Sequence, residues 1–282
     1  MKLHTLTVHN FDLDHTLRCG QVFRWRENKN NWMGVLGNSV IKAKQVGNHL
    51  IVESNLDMDR VTSYFRLNDD LDDIYQCINK DAVMNEAIAM YGGMRIIKQD
   101  PWECLISYVC SRQNRIEKIE RIVFSLSKNF GDEIQFENKI FYTFPKPDEL
   151  AKANLDDLKK CQFRFGDKQA REVKVIAQLV SEGDFCLERL RELDYKSAKE
   201  ELMSLEGVGP KVADCVLLFS LDKLEAFPVD VHVRRIVQRD YFRNKKISDK
   251  KLREWAGRYF GKHAGYAQQY LFYYERTKEV QK

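Results

Sequence analysis

The hydrophobic pattern changes character after Asp57, and that change most narrows what this chain can fold into. Before it come short β-rich runs: Val22-Phe23-Arg24-Trp25, Trp32–Leu36, Val40–Ala43 and Leu50–Val52. A polar turn at 27–31 and Gly-Asn pairs at 37–38 and 47–48 separate them. Such spacing predicts an antiparallel meander. After it, segments 57–66, 70–79 and 81–91 carry helical spacing with polar breaks. From Asp100-Pro101 onward long amphipathic runs dominate, at 101–112, 115–129, 147–152, 154–161, 168–182, 187–193, 195–205, 210–221, 231–240, 248–260 and 263–277. Asp100 suits a helix cap and Pro101 the first helical position. The fold class expected is α+β and mostly helical. An N-terminal module with an antiparallel sheet occupies 1–95, and a helical domain occupies 96–282.

Several classes drop out. Hydrophobic residues make up 44% and charged residues 31% of the 282, which argues against disorder. No apolar run approaches the roughly 18 residues a membrane span needs. The N-terminus is too polar and alternating for a signal peptide, so an intracellular protein is expected, in cytoplasm or nucleoid if prokaryotic. Seven cysteines are scattered, odd in number, with no Cys-x-x-Cys pair. That disfavours a disulfide framework, a zinc ribbon and a four-cysteine cluster. Nothing calls for a metal or organic cofactor. Residues 201–282 hold 16 Lys/Arg against 11 Asp/Glu, a larger excess than the +4 of the whole chain. A basic bias alone is weak support for nucleic acid.

The basic segment also carries the chemistry. Residues 195–221 predict helix, hairpin, helix, with the turn Glu206-Gly207-Val208-Gly209 and the second helix starting at Pro210. Gly207 and Gly209 let backbone N–H groups face outward at a helix N-terminus, a geometry that cradles phosphate. An ordinary interhelical turn would have the same pattern. Lys211 falls in the first turn of that second helix, where the helix dipole disfavours a cation. A neutral amine is a nucleophile. Most lysines are simply solvated, yet Cys215 and Phe219, at i+4 and i+8, predict a partly apolar surrounding. Asp230 follows nineteen residues later in Phe-Pro-Val-Asp-Val-His and suits the N-cap of a helix over 231–239.

With these residues in view, segment 205–235 resembles the helix–hairpin–helix DNA glycosylases, whose motif ends in a Gly/Pro-rich loop and an aspartate. More narrowly it is similar to the 8-oxoguanine DNA glycosylase/AP lyases. Cys-Gly-Gln-Val-Phe-Arg-Trp (19–25), Gln-Asp-Pro-Trp-Glu-Cys-Leu-Ile-Ser (99–107) and Ala-Gly-Tyr-Ala-Gln-Gln-Tyr-Leu-Phe (264–272) extend the resemblance along nearly the whole chain.

The resemblance implies a monomeric DNA repair enzyme acting on duplex DNA that contains 8-oxoguanine. Lys211 would attack C1′ of the damaged nucleotide, and Asp230 would stabilise positive charge on the sugar and help orient the amine. The base would flip out of the stack. The Gly20 carbonyl would accept its N7–H, Gln268 would read its Watson–Crick edge, Phe272 and Cys215 would sandwich it, and Phe219 would wall the pocket. His232, with Gly207, Val208 and Gly209, would contact backbone phosphate. Two departures from the family pattern bear on the opposite strand. Gln113, in Ser111-Arg112-Gln113-Asn114-Arg115-Ile116, replaces the asparagine expected beside Asn114 to fill the gap left by the base. Lys118 replaces an arginine that reads the opposite cytosine, and lysine lacks the planar fork. Relaxed opposite-base selectivity is the expectation. An aromatic wedge is expected within 161–171. Without gaps it is Phe165, followed by Gly166 where an arginine should stand; slipped by two residues, Phe163 and Arg164 supply both.

Two other functions compete. An alkylated-purine glycosylase would keep the aspartate but lack the lysine. A non-catalytic DNA-binding module would need none of Lys211, Asp230 and Gln268.

Overall fold

The computed structural model describes residues 2–280. Five strands, β1 (Lys2–Thr7), β2 (Arg26–Asn28), β3 (Asn31–Leu36), β4 (Ser39–Val46) and β5 (His49–Ser54), form an antiparallel sheet in the order β1-β5-β4-β3-β2. The Gly-Asn pairs at 37–38 and 47–48 make the β3–β4 and β4–β5 turns, as their chemistry predicts. Helix α1 (Leu13–Arg18) and helix α2 (Met58–Tyr64) bring Leu13, Leu17 and Val61 to a core shared with Trp32, Ile41, Leu50 and Val52. On the other face, Met33, Val35 and Val40 meet Phe136 of a second hairpin, β6 (Glu133–Phe136) and β7 (Lys139–Tyr142). With both faces covered, β3 is apolar without alternation.

Residues 22–25 are not a strand, contrary to the sequence expectation. They form an irregular, buried connector, and one side chain satisfies two of its carbonyls. Arg26 Nη1 donates to the carbonyls of Phe23 (3.3 Å) and Trp25 (2.9 Å). Apolar content therefore marked burial here, while the backbone partners came from elsewhere. Helix α1 and the β6–β7 hairpin were not read from the sequence: α1 spans six residues and each of the two strands four.

The remaining helices are α3 (Leu71–Ile78), α4 (Ala82–Tyr91), α5 (Pro101–Cys110), α6 (Ile116–Phe130), α7 (Pro147–Lys152), α8 (Leu155–Lys159), α9 (Gly166–Glu182), α10 (Tyr195–Met203), α11 (Pro210–Ser220), α12 (Val231–Asp240), α13 (Asp249–Phe260) and α14 (Ala264–Val280). Asp70, Asp81, Asp100, Asp194 and Asp230 each cap the helix that follows by accepting its early amides. One large core joins these helices. Helix α14 threads it with Tyr266 and Tyr270 fully buried, packing on α3, α4, α12 and α13. Helix α11 packs between α5 and α10, its partner in the hairpin. No helix among the described residues is long and apolar enough to cross a membrane.

Candidate active site

The α10–α11 hairpin turns at Gly207, whose φ of +86° suits glycine. A Cβ there would also press on the Glu172 carboxylate at 2.9 Å and Arg112 Nη1 at 3.2 Å. Val208 turns its side chain into the core and donates its N–H to the Leu205 carbonyl at 3.1 Å. That amide is thus engaged within the turn. Helix α11 starts at Gly209 with no side-chain cap, so its first amides keep the anion affinity of a helix N-terminus.

Lys211 is half-buried on that first turn. Its Nζ donates to Ser111 Oγ at 3.1 Å and lies 5.0 Å from the centroid of the Tyr108 ring. Tyr108 stacks on Phe219 at 5.5 Å. One turn along, burial pushes the Cys215 thiol up to about 12, with Lys211 opposing the shift and the Asp214 and Asp230 carboxylates adding to it. Asp230 caps α12, accepting from Val233 N at 2.8 Å. Among the described residues no hydrogen bond or ion pair joins Lys211 to Asp230; the amine's partner is Ser111. The surrounding is thus aromatic and thiol-lined on one side and hydroxyl-lined on the other.

The opposite wall brings distant segments together. Gly20 has φ +87°. A Cβ there would lie 2.6 Å from Ile116 Cδ1 and 3.4 Å from Phe272 Cε1. The Gly20 turn is pinned through its neighbours. Gln269 Nε2 donates to the Cys19 carbonyl at 3.1 Å. Gln21 Nε2 donates to the carbonyls of Thr16 (2.9 Å) and Arg95 (2.8 Å), and its Oε1 accepts from Ile97 N (2.8 Å). Gln268 is buried, and its Oε1 has no hydrogen-bond partner. Phe272 is half-buried, with the His232 ring edge-on at 5.6 Å.

The candidate opposite-strand residues lie on nearby turns. Gln113 is exposed with φ +54°. Asn114 is engaged locally, donating to the Cys110 carbonyl at 2.8 Å. Lys118 Nζ approaches Gln162 Oε1 at 3.5 Å. The two phenylalanines separate clearly: Phe163 is 6% exposed in the core, whereas Phe165 is 38% exposed. The Arg112 guanidinium sits 5.4 Å from the Phe165 ring centroid. Arg164 is exposed.

Comparison with known proteins agrees with this geometry. Residues 4–105 match the family described as 8-oxoguanine DNA glycosylase, N-terminal domain, and residues 106–261 match the HhH-GPD superfamily of base excision DNA repair proteins. The chain belongs to the HhH-GPD superfamily, on its 8-oxoguanine glycosylase branch. It is 30% identical to a probable N-glycosylase/DNA lyase of Methanothermobacter thermautotrophicus, over 96% of this chain and 95% of that one. The structure of MBOgg1 in complex with a low affinity DNA ligand superposes with a TM-score of 0.92 at 35% identity, covering 99% of this chain and 100% of that one. An 8-oxoguanine glycosylase/lyase of Clostridium acetobutylicum, in complex with duplex DNA containing cytosine opposite 8-oxoguanine, gives a TM-score of 0.91 at 31% identity and 99% coverage of both chains. The chain is a base excision DNA repair enzyme of the N-glycosylase/DNA lyase kind.

This glycosylase braces helix α11 from behind. Asp214 on α11 is fully buried. Its carboxylate meets Lys199 Nζ at 2.6 Å and the Tyr195 hydroxyl at 2.6 Å, both from α10, and Arg253 Nε of α13 at 3.7 Å. Burial pushes the Asp214 carboxyl up, with Lys199 and Tyr195 holding it back. Sequence reasoning assigned no role to Asp214, Ser111, Tyr108, Gln21 or Gln269. Asp214 had a usable signal, as a carboxylate on an otherwise apolar helix must meet partners. The other four carry no periodicity that points to a site.

Proposed function

We propose that this enzyme excises 8-oxoguanine from duplex DNA and then cleaves the strand, with Lys211 as the nucleophile. The observation that carries the reading is the seat of Lys211, a half-buried amine on the first turn of the hairpin's second helix, held by Ser111 Oγ at 3.1 Å and lying over the Tyr108 ring at 5.0 Å. Lys211 Nζ bonds to C1′ as the C1′–N9 bond breaks, and the base leaves with the electron pair and takes up a proton. Ring opening gives a Schiff base, which acidifies C2′; loss of that proton and of the C3′–O bond releases the 3′ phosphate. The Asp230 carboxylate faces the positive charge that develops on the sugar.

The flipped base enters between Cys215 and Phe272. Gly20 offers a carbonyl to N7–H, which guanine lacks, and the unpartnered Gln268 Oε1 accepts from the Watson–Crick edge. Phosphate meets the hairpin at Gly207 and Gly209 and the start of α12 at His232. Phe165 is the better wedge, since Phe163 is committed to the core. Gln113, Asn114 and Lys118 face the opposite strand, where a lysine in place of a forked guanidinium leaves the partner base weakly read. The assignment of 1–95 to a sheet-bearing module and 96–282 to the glycosylase domain belongs to the same reading, as do action as a monomer and residence with the genome inside the cell.

The test is a borohydride trap on a duplex with a single 8-oxoguanine. A covalent protein–DNA adduct is expected, lost in Lys211→Gln. Absence of both adduct and base release in the unsubstituted protein would overturn the proposal. An alkylated-purine specificity would show as release of 3-methyladenine without trapping.

A further inference from the structure

Arg276 follows Phe272 by four residues on α14 and Gln268 by eight, so the three share one helix face. Its guanidinium lies 5.4 Å from the Phe272 ring centroid and 5.1 Å from that of Tyr273. Nη2 donates to the Arg18 carbonyl at the end of α1. Nη1 is buried and has no hydrogen-bond partner among the described residues. It is also the atom nearest to the Gly20 Cα face: a Cβ built there would lie 2.4 Å from it.

A guanidinium cannot shed its charge, and leaving a charged donor buried without an acceptor is costly. An acceptor supplied by the substrate would remove that penalty. The lesion differs from guanine at two adjacent atoms. N7 carries a hydrogen instead of a lone pair, and C8 carries an oxygen instead of a hydrogen. A carbonyl and a cationic donor side by side complement that pair, and guanine mismatches both.

We infer that Arg276 is a specificity-determining residue whose Nη1 donates a hydrogen bond to the C8 oxygen of the flipped 8-oxoguanine, beside the Gly20 carbonyl. The inference rests on the proposed reading of Gly20 and extends it: the lesion is recognised at both altered atoms. A second consequence is that Arg276, through the Arg18 carbonyl, holds the turn that presents Gly20.

The experiment separates reading from holding. In the full chain carrying Lys211→Gln, to prevent turnover, Kd is measured for four duplexes with 8-oxoguanine, guanine, 8-oxo-7-deazaguanine or 7-deazaguanine at the target position. The last two lack N7–H and differ at C8 by the oxygen. The 8-oxo member is expected to bind roughly tenfold to a hundredfold more tightly, the range of a charge-assisted hydrogen bond in a dry site. Arg276→Met is expected to bring that ratio to about one, and Arg276→Lys, which keeps a cationic donor, to restore part of it. A purely structural role would weaken all four duplexes alike and leave the ratio intact, which would overturn the inference. So would a ratio near one before any substitution of Arg276, a result that needs no folded variant. If 8-oxoguanine is bound no better than guanine, the proposed function falls as well; if it is preferred while the deaza pair is not distinguished, only the role of Arg276 falls.

Discussion

At the scale of single residues, Asp230 caps α12 and is proposed to face the sugar, two roles that a substitution can part. Asparagine caps a helix about as well as aspartate, so Asp230→Asn should leave the thermal midpoint nearly unchanged. It removes the charge that faces the sugar, so single-turnover excision should fall by about a hundredfold or more, while affinity for DNA with an abasic-site analogue stays. Unchanged turnover would remove Asp230 from the mechanism. The cysteines offer a check on burial. Cys186 is exposed and Cys215 is buried with its thiol pushed up to about 12, so Cys215 stays protonated and unreactive at neutral pH. Native iodoacetamide labelling at pH 8, followed by peptide mass mapping, should modify Cys186 first and Cys215 only after unfolding. The sequence made Lys211 and the covered flank of Cys215 and Phe219 legible, because helical spacing on α11 projects them to one side, and it made Asp230 legible as the cap of α12. It did not make Ser111 legible as the amine's partner. That contact spans 100 residues, and no local pattern encodes such a meeting.

At the scale of elements, the hairpin depends on a backbone that only glycine adopts freely and on a brace behind α11. Gly207→Ala must hold φ near +86° and press on Glu172. It should cost about 1 kcal/mol or more of stability and, if the turn carries phosphate as proposed, weaken duplex binding several-fold by fluorescence anisotropy. Asp214→Ala leaves Lys199 and Tyr195 facing a void where a buried carboxylate was. A loss of about 3 kcal/mol is expected from the denaturant midpoint, in the range for breaking one side of a buried pair. A change under about 0.5 kcal/mol would show that the pair contributes no net stability. Helices α6, α9 and α13 were readable because each presents a sustained amphipathic stripe, and α5 and α11, buried nearly all round, because a proline opens each apolar run. Segment 22–25 was misread because its apolar residues are buried without a strand partner, and β6 and β7 were missed because four-residue strands fall below what period alone distinguishes.

At the scale of the whole molecule, the basic excess lies in residues 201–282, the segment that also carries the Gly207–Gly209 turn proposed to meet phosphate. DNA affinity should therefore fall steeply with salt, log K against log salt sloping by about −0.9 for each phosphate neutralised; a flat response would exclude this surface. Excision rates opposite cytosine, adenine, thymine and guanine should lie within about tenfold of one another, given Lys118 and Gln113 where a forked arginine and an asparagine would read or fill the gap. A preference for cytosine of a thousandfold would show that other groups read that base. The α+β class was legible from the change of pattern after Asp57. The joining of Gly20 to α14 was legible only through the family resemblance, because nothing in either segment alone points to the other.

That join has a consequence for the order in which the protein is made. Gln269 holds the Cys19 carbonyl across 250 residues, so the wall that Gly20 lends to the base pocket has no counterpart until the ribosome has passed α14. The sheet, the hairpin and Lys211 all emerge earlier. A nascent chain therefore displays its amine before it has anywhere to seat a base, and a product truncated ahead of α14 lacks Gln268, Phe272 and Arg276 together.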